Sequence, residues 1–185
     1  SIHFSKIAGQ ILECRAAFAR GSAYRLAVGY PVFPDEGDCR VPGEWVRLAK
    51  PELTKILLDE FHAVSSADPQ QGVFRRVAVE VELVDTGERV FADTYAVHAM
   101  KLSRAAQFIA DGGWRRSLHE KPSLTSRLTE RQRTYIQKLG RSSGRDIVPI
   151  DLALYRELMH LEIVVDKGRR LALTALGHEV FRYLG

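Results

Sequence analysis

Val73-Phe74-Arg75-Arg76-Val77-Ala78-Val79-Glu80-Val81-Glu82-Leu83-Val84 alternates strictly along most of its length. Val77, Val79, Val81 and Leu83 share one face, and Ala78, Glu80 and Glu82 share the other. Alternation rich in β-branched residues marks a half-buried strand. Asp85-Thr86-Gly87-Glu88 supplies turn chemistry, and Arg89 to Val97 returns as a partner strand. The stretch predicts a long antiparallel hairpin. Weaker strands are expected over Tyr24 to Val28 and Arg40 to Leu48, punctuated by Pro31, Pro34, Gly37, Pro42 and Gly43.

One helix is expected inside this strand-rich half. Pro51 suits a first helical turn, where its missing N–H costs nothing. Leu53, Ile56, Leu57 and Phe61 share one face at helical spacing. Residues 65–72 read as a polar loop.

Near residue 98 the periodicity becomes helical. His98 to Asp111 predicts an amphipathic helix ending before Gly112-Gly113. Residues 112–127 read as a linker. Thr129-Glu130-Arg131-Gln132 is a capping-box pattern, opening a helix with Tyr135, Ile136 and Leu139 that stops near Gly140. Asp151 caps a second helix. Ile163-Val164-Val165 and Leu171-Ala172-Leu173 flank a basic turn, and Thr174 caps a last helix. Strands followed by helices give an α+β class. The expected parts are 1–98, 99–124 and 125–185.

Composition bounds the function. The 185 residues are 45% hydrophobic and 27% charged, a globular balance that excludes a disordered chain. Cys14 and Cys39 form no C-x-x-C pair, so neither a disulfide scaffold nor a zinc ribbon is expected. His3, His98, His119, His160 and His178 have no metal-ligand spacing, and no metal is expected. Without G-x-x-x-x-G-K-[ST] or G-x-G-x-x-G, no nucleotide cofactor is expected either. No apolar run reaches the roughly 20 residues that span a bilayer, and the first residues carry no apolar core of signal-peptide length. A soluble cytoplasmic protein with no membrane partner is expected. Net charge is +4. Residues 1–98 hold 11 Lys/Arg against 14 Asp/Glu, and residues 99–185 hold 16 against 9. That asymmetry makes Arg141, Arg145, Lys167, Arg169 and Arg170 a candidate patch for an anionic partner.

The order helix, helix, basic hairpin, helix resembles the winged-helix domains of bacterial regulators over about residues 125–184. Their wing commonly runs into an L-T-x-x-G helix start, here Leu173-Thr174-Ala175-Leu176-Gly177. Between Gly140 and Asp151 there is no room for a separate recognition helix. Nucleic-acid contact and a packing or homodimerisation role therefore stand as alternatives for this extension.

Residues 8–98 resemble the γ-glutamylcyclotransferase-like (AIG2-like) family. Gly21-Ser22-Ala23-Tyr24-Arg25-Leu26-Ala27-Val28-Gly29-Tyr30-Pro31 matches its strand into a G-Y-P turn. Val41-Pro42-Gly43-Glu44-Trp45-Val46-Arg47-Leu48 matches its V-x-G-E strand, and Leu57-Leu58-Asp59-Glu60-Phe61-His62-Ala63 matches its helix ending L-D-x-[FY]-E-G. Phe74-Arg75-Arg76 and a strand reaching Thr94-Tyr95 follow in order. The resemblance implies a small mixed β-barrel. It also implies a transferase-type reaction in which a substrate amine closes on its own γ-carbonyl and releases 5-oxoproline. A Y-G-[ST] loop would cradle the ligand carboxylate, and Ser1 stands where that loop would end. Gly29, Tyr30, Pro31 and Tyr95 take ligand-lining positions. His62 stands where the family has its acid/base glutamate, and Ala63 replaces the following glycine. Glu60 is about 200° round the helix from His62 and faces elsewhere. Three functions stay open. One is a protein that binds a small γ-glutamyl or amino-acid-like molecule with weak or no turnover. The second is an active enzyme with a relocated base. The third is a nucleic-acid- or protein-binding module acting through the basic extension.

Overall fold

The computed structural model describes residues 7–65, 68, 72–142, 146–168 and 170–184. Two units are present: Ser1–Leu26 with Pro31–Ser117, and Ala27–Tyr30 with Leu118–Gly185.

The first unit is built on four antiparallel strands: β1 (Ile11–Gly21), β4 (Cys39–Leu48), β5 (Phe74–Leu83) and β6 (Arg89–Val97), in the spatial order β4-β1-β5-β6. The expected hairpin is present. β5 and β6 pair from Phe74 opposite Val97 to Glu82 opposite Arg89, and Gly87 in the turn takes φ +70°, a conformation glycine adopts without penalty. The valine face packs as its alternation predicts. Ala17, Val81 and Leu83 are buried, with Ala19, Trp45, Val79, Val90 and Ala92 against them. Burying a residue such as Leu83 contributes roughly 1.5–3 kcal/mol.

The α+β class holds, but the sheet is not a closed barrel. β4 and β6 are its two edges. The outer edge of β6 is met at Ala96 by Phe33, and the Val97 N–H donates to the Phe33 carbonyl. That contact leads into a second, three-stranded sheet of β2 (Tyr24–Arg25), β3 (Pro31–Val32) and β7 (Gln107–Phe108), in the order β3-β2-β7.

The helix expected over residues 98–111 does not form. Ala99–Lys101 is a single 3-10 turn. Ser103 then closes a local turn, its hydroxyl accepting the Ala105 N–H and its carbonyl the Ala106 N–H. Such local bonding competes with a helix. Gln107–Phe108 instead pairs with β2, and the Phe108 ring sits 5.4 Å from that of Tyr24. The segment read as a linker contains α2 (Trp114–Glu120) and α3 (Leu124–Arg127), the latter capped by Ser123.

α1 (Pro51–Phe61) forms where expected, but its apolar stripe faces outward: Leu53, Ile56 and Leu57 are 60, 63 and 47% exposed. Polar residues face the sheet instead. Thr54 is buried and donates to the Lys50 carbonyl, and Lys55 pairs with Asp93 of β6 at 2.8 Å.

In the second unit, α4 (Glu130–Arg141) opens on a complete capping box between Thr129 and Gln132. The Asp151 carboxylate caps α5 (Leu152–His160). β8 (Val164–Asp166) and β9 (Leu171–Leu173) form the basic hairpin, and the Thr174 hydroxyl caps α6 (Ala175–Leu184) by accepting the Gly177 N–H. Ile136, Leu158, Ile163 and Val180 are fully buried, and so is Val28. α4 ends at Arg141, one residue past Gly140 and near the expected stop. A Cβ on Gly140 would sit 2.5 Å from the Phe181 ring, so glycine is needed for the close approach of α6.

Candidate functional site

The last turn of α1 carries the candidate site. Its C-cap is His62, whose N–H donates to the Leu58 carbonyl at 2.9 Å. Ala63 follows at φ +50°. Helices commonly close with a left-handed residue here, and glycine is favoured because it has no Cβ. The Val64 N–H then bonds back to the Asp59 carbonyl at 2.9 Å. This closure turns the His62 ring onto β5 and β6.

On that face Arg76 stands directly opposite Tyr95. The Tyr95 hydroxyl donates to Asp59 Oδ1 at 2.7 Å, and Arg76 Nη1 lies 2.7 Å from Asp59 Oδ2. Both Asp59 oxygens are therefore engaged. Burial first, and the hydrogen bond to Asp59 second, push the Tyr95 phenol well above its usual range. Tyr95 is thus a neutral donor at physiological pH. The imidazole of His62 stacks on the Tyr95 ring, with centroids 4.1 Å apart and 13° between planes. It also meets Phe61 and Phe74 edge-on, at 4.8 and 5.1 Å. The cluster is an imidazole packed among three aromatic rings, beside a tied Arg–Asp–Tyr group.

The structure brings His62 and Tyr95 together. Glu60 is exposed. Pro31 opens β3 in the first unit, whereas Gly29 and Tyr30 belong to the second. There the Tyr30 ring stacks on Tyr183 at 4.2 Å, and its hydroxyl is 2.7 Å from that of Thr125. Lys167 and Arg170 share the β8–β9 turn, the Lys167 N–H donating to the Arg170 carbonyl, and Arg141 ends α4. Ser1, Arg145 and Arg169 lie outside the described residues. Among the described residues no group of three His, Cys, Asp or Glu is arranged to hold a metal ion, and no helix is long and apolar enough to cross a membrane. A groove of about 210 Å³ in the first unit, lined by Pro42, Glu44, Trp114 and Arg115 among others, shares no residue with the His62 cluster.

Sequence reasoning missed the engagement of Asp59 by Arg76. The signal was available: Arg76 lies on the Ala78–Glu80 face of the alternating strand, the face that also bears Tyr95 across the hairpin.

A family model described as γ-glutamyl cyclotransferase, AIG2-like, matches residues 2–116. No curated protein matches the chain. Two solved structures from Arabidopsis thaliana are similar in part. The solution structure of At3g28950.1 is 20% identical, covers 81% of this chain and 85% of its own, and has a TM-score of 0.44. That of At5g39720.1 is 23% identical, covers 60% and 69%, and has a TM-score of 0.42.

Proposed function

Because the chain belongs to the γ-glutamyl cyclotransferase, AIG2-like family, we propose that it binds a small γ-glutamyl or amino-acid-like molecule and has weak or no cyclotransferase activity. One observation carries this reading. At the end of α1 the side chain stacked on Tyr95 is an imidazole, and the neighbouring carboxylate, Asp59, is tied at both oxygens.

The cyclisation needs a group that takes a proton from the attacking amine and returns one to the leaving group, within hydrogen-bond reach. A carboxylate does this while moving between −1 and 0. An imidazole moves between 0 and +1, so it does not inherit the electrostatics of the carboxylate. Asp59 is a poor substitute, because acting as a base would cost it both existing partners. Aromatic rings beside a polar corner still suit a small ligand with an apolar stem and a polar head.

The test is 5-oxoproline release from a panel of γ-glutamyl substrates by the parent, His62→Ala and His62→Glu. The reading expects a silent or slow parent and a gain in His62→Glu. A parent that turns over rapidly, and loses this in His62→Ala, would make His62 a working base and overturn it. Silence in all three, together with no ligand binding, would move attention to the basic extension.

A further inference from the structure

A second polar cluster lies on the other face of the β5–β6 hairpin. Arg75 stands opposite Ala96. His98, two residues further on and still extended at φ −64° and ψ 126°, donates its N–H to the Val73 carbonyl at 3.3 Å. Side chains alternate along a strand, so Arg75 and His98 are diagonal neighbours on one face, away from Arg76 and Tyr95. Phe33 bridges Ala96 in the parallel sense. That direction carries Asp35 towards His98, and Asp35 Oδ1 lies 2.6 Å from Arg75 Nη2. Ala96, at the centre, contributes only a methyl group and is fully buried.

Two polar atoms here are buried without a hydrogen-bond partner: Arg75 Nε and His98 Nε2. Buried polar groups are almost always paired, and an unpaired charged donor is the costliest exception. The guanidinium presents two edges, and Asp35 meets an Nη2 hydrogen, leaving Nε–H for another acceptor. The side chains of Arg75 and Asp35 keep 27 and 22% exposure, whereas Arg75 Nε and His98 Nε2 are themselves closed to solvent, so a ligand reaches them only when the outer side chains move aside. An acceptor-only group with two oxygens suits the Arg75 Nε–H and, in the tautomer that carries its proton on Nε2, the His98 imidazole.

We propose that Arg75 and His98 form a binding site for a small carboxylate, one oxygen accepting Arg75 Nε–H and the other His98 Nε2–H. Asp35 holds the outer guanidinium edge and fixes its plane. The site is independent of His62 and of cyclotransferase chemistry.

The probe is acetate, titrated into the full chain labelled with ¹⁵N, with the imidazole Nε2 resonances followed. His98→Phe assigns the His98 signal. A saturable shift confined to His98 is expected, with acetamide giving none. Arg75→Lys keeps a cation for Asp35 but removes Nε–H, and should weaken acetate by at least about tenfold. If Arg75→Lys is unfolded, His98→Phe is used in its place, and calorimetric binding of acetate should vanish. Three results would overturn the site. One is no saturable shift at about 100 mM acetate, well above a millimolar Kd. Another is acetamide acting as well as acetate, which would mean that a bridging water or any polar group suffices. The third is unchanged acetate affinity in the variant that folds.

Discussion

The rings of His62 and Tyr95 lie 4.1 Å apart and 13° from parallel, and the Tyr95 hydroxyl is 2.7 Å from Asp59 Oδ1. One tyrosine thus supports the imidazole with its face and ties the carboxylate with its edge. Tyr95→Phe keeps the stacking and removes the tie. A hydrogen bond to a charged acceptor is worth about 1.5–3 kcal/mol. The half-exposed setting reduces this, and about 1–2 kcal/mol should be lost on chemical denaturation. A loss below about 0.3 kcal/mol would mean that water replaces the phenol freely.

Ala63 occupies a left-handed conformation at φ +50°. The penalty for a Cβ there is about 1–2 kcal/mol, partly offset by the greater chain entropy that glycine loses on folding. Ala63→Gly should therefore raise stability by about 0.5–1 kcal/mol. Thermal melting checks it, and a destabilised variant would show that the helix end relaxes differently.

The outward stripe of α1 gives an inversion that is easy to measure. Leu53→Gln and Ile56→Gln should each change stability by no more than about 0.5 kcal/mol, as surface substitutions do. Thr54→Leu should cost about 1–3 kcal/mol, because it overpacks a buried position and removes a hydrogen bond to Lys50. The opposite ranking would mean that the stripe is covered in solution.

Glu179 gives a pH dependence. Burial pushes its carboxyl above the usual range, while Arg182 and the Val28 N–H pull it back. Tyr183 also faces it, and burial holds the Tyr183 phenol up at about 12. The folded state thus binds this proton more tightly than the unfolded chain. Its stabilising effect is complete below the unfolded carboxyl value and is lost as pH rises through the raised folded value. Glu179→Gln keeps an oxygen for Val28 and removes the charge. It should melt a few degrees above the parent at about pH 8, and lose that advantage below about pH 4, under the unfolded carboxyl value. Parallel melting curves at the two pH values would refute this.

The long hairpin and the Thr129, Asp151 and Thr174 caps of the second unit were legible, because each depends on residues close together in the chain, whereas the Ser123 cap of α3 was passed over inside an expected linker. β1 was not. Its sequence, Ile-Leu-Glu-Cys-Arg-Ala-Ala-Phe-Ala-Arg-Gly, is rich in alanine, which carries little strand signal. It forms because β4 and β5 both pair with it. The orientation of α1 was hidden for a related reason. Periodicity marks Leu53, Ile56 and Leu57 as the buried face, but ion pairs to Asp93 and Arg76 decide which side meets the sheet. Gly140 was read as the end of α4, which holds to within one residue, but nothing local announces the Phe181 ring that requires a glycine there. At the site, position 62 was identified from motif order alone, whereas the engagement of Asp59 needed the register of two strands.

Val28 has no exposed surface, accepts the Leu124 N–H at its carbonyl, and belongs with Tyr30 to the second unit. No single cut in the gene therefore releases that unit whole. A fragment beginning at Leu118 would lack a core valine and the ring that covers Tyr183. Recombination that transplanted only the tail would deliver a damaged module. The extension is complete only together with four residues encoded about ninety codons upstream, so the two parts have to be exchanged together.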